Sequence, residues 1–221
     1  MLLMVPYQTD VPMERWPFSN VTIIAVTVIC FGAFVLSGEL TVDHPLVLNG
    51  WRLSGMLGCL LLHGGLLHLV GNMIFLWTFG NAVCAKVGNV AFLLIYLVLG
   101  FAASATHLAL SAEPAIGASG AINGIVGMYL VMYPLNNVSM FYTFFLRYNG
   151  TFDISSFWMI LLWFVFDVWG ASSGAGRVAY WAHLGGFAAG FVIALALLLV
   201  GLVQMDDRSE RSLLDVFGVS R

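Results

Sequence analysis

A serine at 119 in "AIGASGAINGIVG", a histidine at 183 in "VAYWAHLGGFAAG", and a histidine and an asparagine at 68 and 72 in "LLLHGGLLHLVGNMIF" are residue types that carry acyl-transfer chemistry. A serine hydroxyl attacks a carbonyl at neutral pH only if a base takes its proton in the transition state, and neutral imidazole suits that task. His183 is the candidate base for Ser119. The oxyanion formed by the attack needs donors already in place. His68 and Asn72 are four residues apart, hence on one face of a helix, and both can present side-chain N–H groups. The backbone N–H of Ser119 joins them if the serine opens a helix. A metal site has less support: there is no HExxH, and His63 and His68, five residues apart, turn away from each other if both lie on one helix. Cys30, Cys59 and Cys84 are dispersed without ligand spacing, and nothing in the sequence calls for a cofactor.

The elements that must position these residues are membrane spans. The chain of 221 residues is 61% hydrophobic and only 9% charged, whereas soluble domains carry about 25% charged residues. Runs such as "NVTIIAVTVICFGAFVL" and "FVIALALLLVGLV" approach the roughly 20 apolar residues that cross a bilayer. The expectation is an all-α membrane protein, a single bundle of six spans near 19–38, 66–84, 89–110, 117–134, 155–172 and 179–203. Segments 1–18 and 204–221 flank that core. Alternating strand patterns are absent, which argues against a barrel. The first twenty residues lack the basic start and cleavage site of a signal peptide, so the first span reads as a retained anchor.

The cations orient the spans. With the amino terminus inside, Arg15, Lys86, Arg147, Arg208, Arg211 and Arg221 fall on the cytoplasmic side, against Arg52 and Arg177 outside. This favours both termini in the cytoplasm. A net charge of −3 without a basic stripe excludes nucleic acid as an expected partner.

On this topology the second, fourth and sixth spans run from outside to inside, and each carries its polar residues near its start. His68 with Asn72, Ser119 and His183 therefore share one leaflet. The glycines explain how they meet. At 100° per residue, Gly117, Gly120, Gly124 and Gly127 fall within an arc of about 80°. On the sixth span Ala179, His183, Gly186, Gly190 and Ala194 form a similar stripe. Small residues let transmembrane backbones approach closely, so these two stripes are expected to face each other and bring His183 to Ser119. Glycines that pack helices within one chain look like glycines that pack two chains, and both oligomeric states stay open.

The ordered set "HGGLLHLVGN" (63–72), "GASG" (117–120) and "AHLGGFAAG" (182–190), with "WRL" at 51–53 upstream, resembles the rhomboid intramembrane serine proteases. The resemblance runs from about residue 45 to 200 and fits a six-span core. It implies Ser119 as nucleophile and His183 as base, a dyad without a carboxylate. It implies an oxyanion hole from His68, Asn72 and the Ser119 amide, and a Gly117 that lets the backbone approach the scissile bond. It further implies single-span membrane proteins as substrates, cut within the lipid bilayer, often after a small residue. A prokaryotic inner membrane, with the site opening to the outer leaflet, is the expected location. In one respect the chain departs: many relatives place an aromatic one turn after the serine, against the histidine, and here the residue is Asn123.

Other residues have blander readings. Asp167 invites comparison with a triad carboxylate, but its place near the outer end of the fifth span favours an interfacial or loop-anchoring role. His63 reads as a structural loop histidine, and His44 and His107 as groups that meet water or headgroups. The tail "MDDRSERSLLDVFGVSR" reads as solvated, with "LLDVF" a short interfacial helix. Two other functions compete with proteolysis. A catalytically silent relative would bind transmembrane clients, but such relatives generally lose the serine or the histidine. A transporter would show internal repeats around a midplane ionic site, and the sequence shows neither.

Overall fold

The computed structural model describes residues 2–38, 41–111, 113–145, 147–174, 178–205 and 210–219. Arg177, Arg208 and Arg221 lie outside the described residues. In chain order the elements are strand β1 (Leu2–Thr9), helices α1 (Phe18–Ser37), α2 (Leu53–Gly58), α3 (Leu66–Val87), α4 (Asn89–Leu110) and α5 (Ser119–Met132), strands β2 (Asn137–Phe144) and β3 (Tyr148–Ser155), and helices α6 (Ser156–Ser173), α7 (Tyr180–Leu199) and α8 (Leu213–Val216).

Among the described residues, five helices (α1, α3, α4, α6 and α7) are long and apolar enough to cross a membrane. Their exposed faces are apolar, with Ile29, Leu36, Val90, Leu94, Trp158, Trp169 and Val192 more than half exposed. That is the surface of a helix solvated by lipid rather than water. The protein is an integral multi-pass membrane protein. The shorter α5 has 14 residues, about 21 Å of helix, and is buried almost throughout by its neighbours.

The α5–α7 contact is the tightest in the bundle. A Cβ added at Gly186 would overlap the carbonyl oxygen of Gly120, and one at Gly190 the carbonyl oxygen of Gly124. A Cβ at Gly127 would likewise meet the backbone of Phe187. The two backbones are therefore in direct contact, and only residues without a side chain permit it. Leu99 of α4 packs over Gly124 from the other side.

Helix α3 is interrupted by a π-turn over Leu76–Gly80, and the wider turn disturbs the regular hydrogen-bond ladder. Asn20 of α1 is fully buried there, its amide donating to the Leu76 carbonyl at 2.9 Å and to Asn81 Oδ1 at 2.8 Å. At the same end of the bundle, Lys86 is buried and pairs with both Glu14 and Glu210. One ammonium thus ties the segments at both ends of the described chain to α3. Glu210 is only 2% exposed, which corrects the expectation of a wholly solvated tail. The short α8 forms where "LLDVF" placed it, capped by a reciprocal Ser212–Asp215 box.

The all-α expectation is corrected by a three-stranded antiparallel sheet in the order β1-β2-β3. It sits at the end of α5 opposite Ser119, because β2 follows α5 and β3 leads directly into α6. Its inner rows pair Thr9, Val138 and Ile154, then Pro6, Met140 and Phe152. Thr9, Val138, Pro6 and Met140 are buried, and Thr78 of α3 donates to the Pro6 carbonyl at 3.3 Å. The strands escaped sequence reading for identifiable reasons. In β2 aromatic residues occupy both faces, Phe141 on one and Tyr142 and Phe144 on the other, which erases the alternation. In β1 a proline lies mid-strand, tolerated because β1 is an edge and its register shifts between Pro6 and Gln8.

Gly186→Ala and Gly190→Ala are expected to force α5 and α7 apart. Each should lower stability by about 1–3 kcal/mol or more, read as a fall in the detergent melting temperature. Gly32→Ala and Gly71→Ala, whose Cβ atoms would meet no heavy atom within 4 Å, should leave it unchanged or slightly raised. Equal effects at all four sites would contradict the backbone-contact account.

Candidate active site

Ser119 is the first residue of α5, after an N-cap at Ala118. The first N–H groups of a helix lack intrahelical acceptors, so Ser119 sits among free backbone donors at the positive end of the helix dipole. The approach to this position is fixed by the backbone. Leu48 and Ala115 exchange two hydrogen bonds of 3.0 Å, and Gly117 N–H donates to the Cys59 carbonyl at 2.9 Å. Gly117 has φ +125°, which favours glycine, and a Cβ there would stand 2.9 Å from the His68 ring. Glycine is thus required twice, for the turn and for the room that His68 occupies.

His183 lies in the first turn of α7, on the same stripe as Gly186 and Gly190. Its Nε2 is 2.9 Å from Ser119 Oγ. The helix contact described above sets that distance, since Gly120 and Gly186 lie one and three residues beyond the two side chains. The other ring nitrogen, Nδ1, is 2.9 Å from Asp167 Oδ1. Both side chains are largely shielded, His183 being 13% and Asp167 15% exposed.

On α3, His68 accepts a 3.4 Å hydrogen bond at Nδ1 from the Gly64 backbone N–H. With Nδ1 an acceptor, the ring hydrogen is on Nε2, the atom that lies over Gly117 beside Ser119. Asn72, one turn along the same face, has a buried Nδ2 without a protein partner among the described residues. An unpaired buried amide is costly, and here it leaves a donor free. The site therefore combines a hydroxyl, an imidazole aimed at it and donors of N–H groups: the components of acyl transfer through an oxyanion. A small cavity beside Ser119 is lined by Gly117, Gly120, Ala103 and Ala182 together with the larger Leu48, Leu60 and Ile116.

The rhomboid domain profile matches residues 49–200. The chain belongs to the rhomboid family. It is 36% identical over 173 residues to the rhomboid protease GluP of Bacillus subtilis, a match covering 77% of this chain and 29% of that protein. It is 34% identical over 152 residues to RHOMBOID-like protein 4 of Arabidopsis thaliana, covering 68% of this chain and 35% of the other. RHOMBOID-like protein 2 of the same plant is 32% identical over 152 residues, covering 68% and 43%. The chain thus spans less than half the length of these curated relatives.

In the fold Ser119 and His183 meet, and His68 lies against the serine loop. Gly120, Gly124, Gly186 and Gly190 form the contact between α5 and α7. Asn123 turns its amide back to the Ser119 carbonyl at 3.0 Å, so it does not hold the His183 ring. The reading of Asp167 as an interfacial carboxylate is corrected by its bond to His183. Sequence reasoning missed this because Asp167 and His183 sit on different helices, joined by a loop whose geometry the sequence does not specify. His107 is also corrected: it is 3% exposed, and its Nε2 bonds the Glu113 carbonyl oxygen at 2.8 Å rather than meeting water. His63 and His68 do not turn away from each other, for His63 precedes the helix and its ring lies edge-on to His68 at 5.0 Å.

His63 is buried in the loop ahead of α3, and it backs His68 rather than reaching Ser119. Burial first, and then the neighbouring His68, push its pKa from 6.5 down to about 4, with the Leu61 backbone pulling slightly the other way. It is held neutral at pH 7. In the unfolded chain His63 takes its proton near pH 6.5, so the stability contributed above that pH is lost as pH falls toward 4. The loss amounts to at most about 3 kcal/mol. Melting temperatures of wild type and His63→Gln, compared from pH 7 to 4, should therefore converge as the pH drops. Parallel curves would show that His63 carries no such penalty.

Proposed function

We propose that this rhomboid-family protein is an intramembrane serine endopeptidase. The observation that carries the reading is the 2.9 Å approach of His183 Nε2 to the Ser119 hydroxyl, at a helix N-terminus bordered by side-chain donors. In the reaction His183 takes the Ser119 proton as Oγ bonds to the scissile carbonyl carbon. The carbonyl oxygen becomes an oxyanion, met by N–H groups of Ser119, His68 and Asn72. The imidazolium then gives its proton to the leaving amine as the C–N bond breaks. Water, deprotonated by His183 in turn, hydrolyses the acyl-enzyme.

Substrates in this reading are single-span membrane proteins that reach the site within the bilayer. With α5 too short to cross about 30 Å of hydrocarbon by itself, the serine lies below the membrane surface, where only transmembrane or closely juxtamembrane peptide bonds are available. The buried α5 is the fourth of six spans, residues 19–203 form the catalytic core, and segments 1–18 and 204–221 flank it in the cytoplasm. Charge supports this orientation. Arg15, Lys86 and Arg147 lie at the sheet end of the bundle, and Arg52 lies at the serine end. In a prokaryotic inner membrane the site then opens to the outer leaflet.

The test is cleavage, in liposomes, of a single-span reporter with a small residue near its outer boundary. Wild type should cleave it, while Ser119→Ala and His183→Ala should lose activity by at least about 10³-fold with unchanged melting temperature. Asn72→Ala should cost about 10²–10³-fold, the effect of one oxyanion donor. Full activity in Ser119→Ala would end the proposal. Absence of cleavage in wild type, with no labelling of Ser119 by a fluorophosphonate, would favour a client-binding relative instead.

A further inference from the structure

We propose that Asp167 is a positioning residue that sets the tautomer and orientation of His183, giving this rhomboid a serine–histidine–aspartate triad. The inference rests on the reading of Ser119 and His183 as nucleophile and base. It starts from a continuous chain of contacts: Ser119 Oγ, His183 Nε2 and Nδ1, and Asp167 Oδ1 are joined by two contacts of 2.9 Å. Each member comes from a different helix, α5, α7 and α6.

An isolated neutral imidazole carries its hydrogen on either nitrogen, and only the Nδ1–H form leaves Nε2 free to accept the serine proton. A carboxylate is acceptor-only, so Asp167 opposite Nδ1 selects the productive form. It does so in a site largely closed to water. When His183 takes the Ser119 proton it becomes an imidazolium, and the carboxylate already in place stabilises that cation. Its part in the reaction is to orient and stabilise the ring, with the proton carried by the imidazole.

The surroundings assign no other described group to this task. Asn123, one turn after the serine, is committed to the Ser119 carbonyl. Tyr180 meets the His183 ring edge-on at 6.2 Å, which limits its swing without choosing a tautomer. The placement of Asp167 is itself built into the packing. Gly170, on the next turn of α6, lies flush against the Tyr180 ring, where a Cβ would overlap the ring atoms. This brings the outer end of α6 against the first turn of α7 and fixes the carboxylate beside Nδ1.

The experiment compares wild type with Asp167→Asn, Asp167→Leu and Asp167→Glu in the same reporter assay, alongside the ¹⁵N spectrum of the His183 ring. An asparagine can donate to Nδ1 and so hold the wrong tautomer; leucine merely removes the acceptor. The expected order of kcat is therefore wild type, then Glu, then Leu, then Asn. The asparagine variant should be down by about 10²–10⁴-fold, with KM nearly unchanged. The spectrum should show Nδ1–H with unprotonated Nε2 in wild type and the reverse in Asp167→Asn. An unchanged spectrum, or full kcat in Asp167→Asn and Asp167→Leu, would overturn the proposal. The spectrum also separates the two readings: a tautomer switch without any cleavage by wild type would uphold the positioning role and remove the proteolytic one.

Discussion

The contact of two helix backbones through glycine is the constraint on which the site depends. Where α5 and α7 cross, Gly186 and Gly190 rest directly on the carbonyls of Gly120 and Gly124. A hydrogen bond between side chains as short as serine and histidine requires their helices to be this close. With ordinary side chains at the crossing, helix axes lie about 8–10 Å apart and each residue holds its neighbour at arm's length. The same glycines that weaken a helix in isolation therefore define the geometry of Ser119 and His183. In lipid, where hydrophobic association between helices is weak, this close packing must itself hold the pair together.

A second principle is the high cost of unpaired polarity away from water. The fold meets it by assigning polar groups to partners across helices. Asn20 bonds the disturbed turn of α3 and Lys86 takes two carboxylates, while Ser104 donates to the Met56 carbonyl. Against that background the exposed chemistry of the site is concentrated. The Ser119 hydroxyl bonds an imidazole, His68 turns an N–H toward the serine loop, and among the described residues Asn72 keeps a donor unspent. Donors held unpaired in a low-dielectric site are pre-organised for charge that develops during a reaction, and they need no rearrangement when it appears.

The two ends of the bundle have divided roles. At one end, short irregular segments and the turn through Gly117 hold the serine loop against His68. At the other, the antiparallel sheet and the Lys86 cluster tie β1, α3 and the tail together. This second end closes the bundle without touching the site, so α5 is anchored at both its termini, by the Leu48–Ala115 pairing ahead of it and by β2 after it. A short buried helix that is fixed at both ends holds its first residue steady.

The sequence by itself determined the membrane class and the positions of the long helices, and it singled out Ser119, His183, His68 and Asn72 as candidates. The reason is that these rest on local composition and on periodicities that a helix imposes whatever surrounds it. The third span was legible to the residue at 89–110, since Gly88 and Ser111 bound a continuous apolar run. The glycine stripes even indicated which helices meet. Only the tertiary structure decided what lies across from a residue. It placed Asp167 on the far side of the His183 ring, turned Asn123 back on its own helix and brought His63 beside His68. It also assembled a sheet from three segments, one of them more than 120 residues away from the others in the chain. These are contacts between distant parts of the chain, set by loop geometry and by the rotation of each helix about its axis, and no local pattern encodes either.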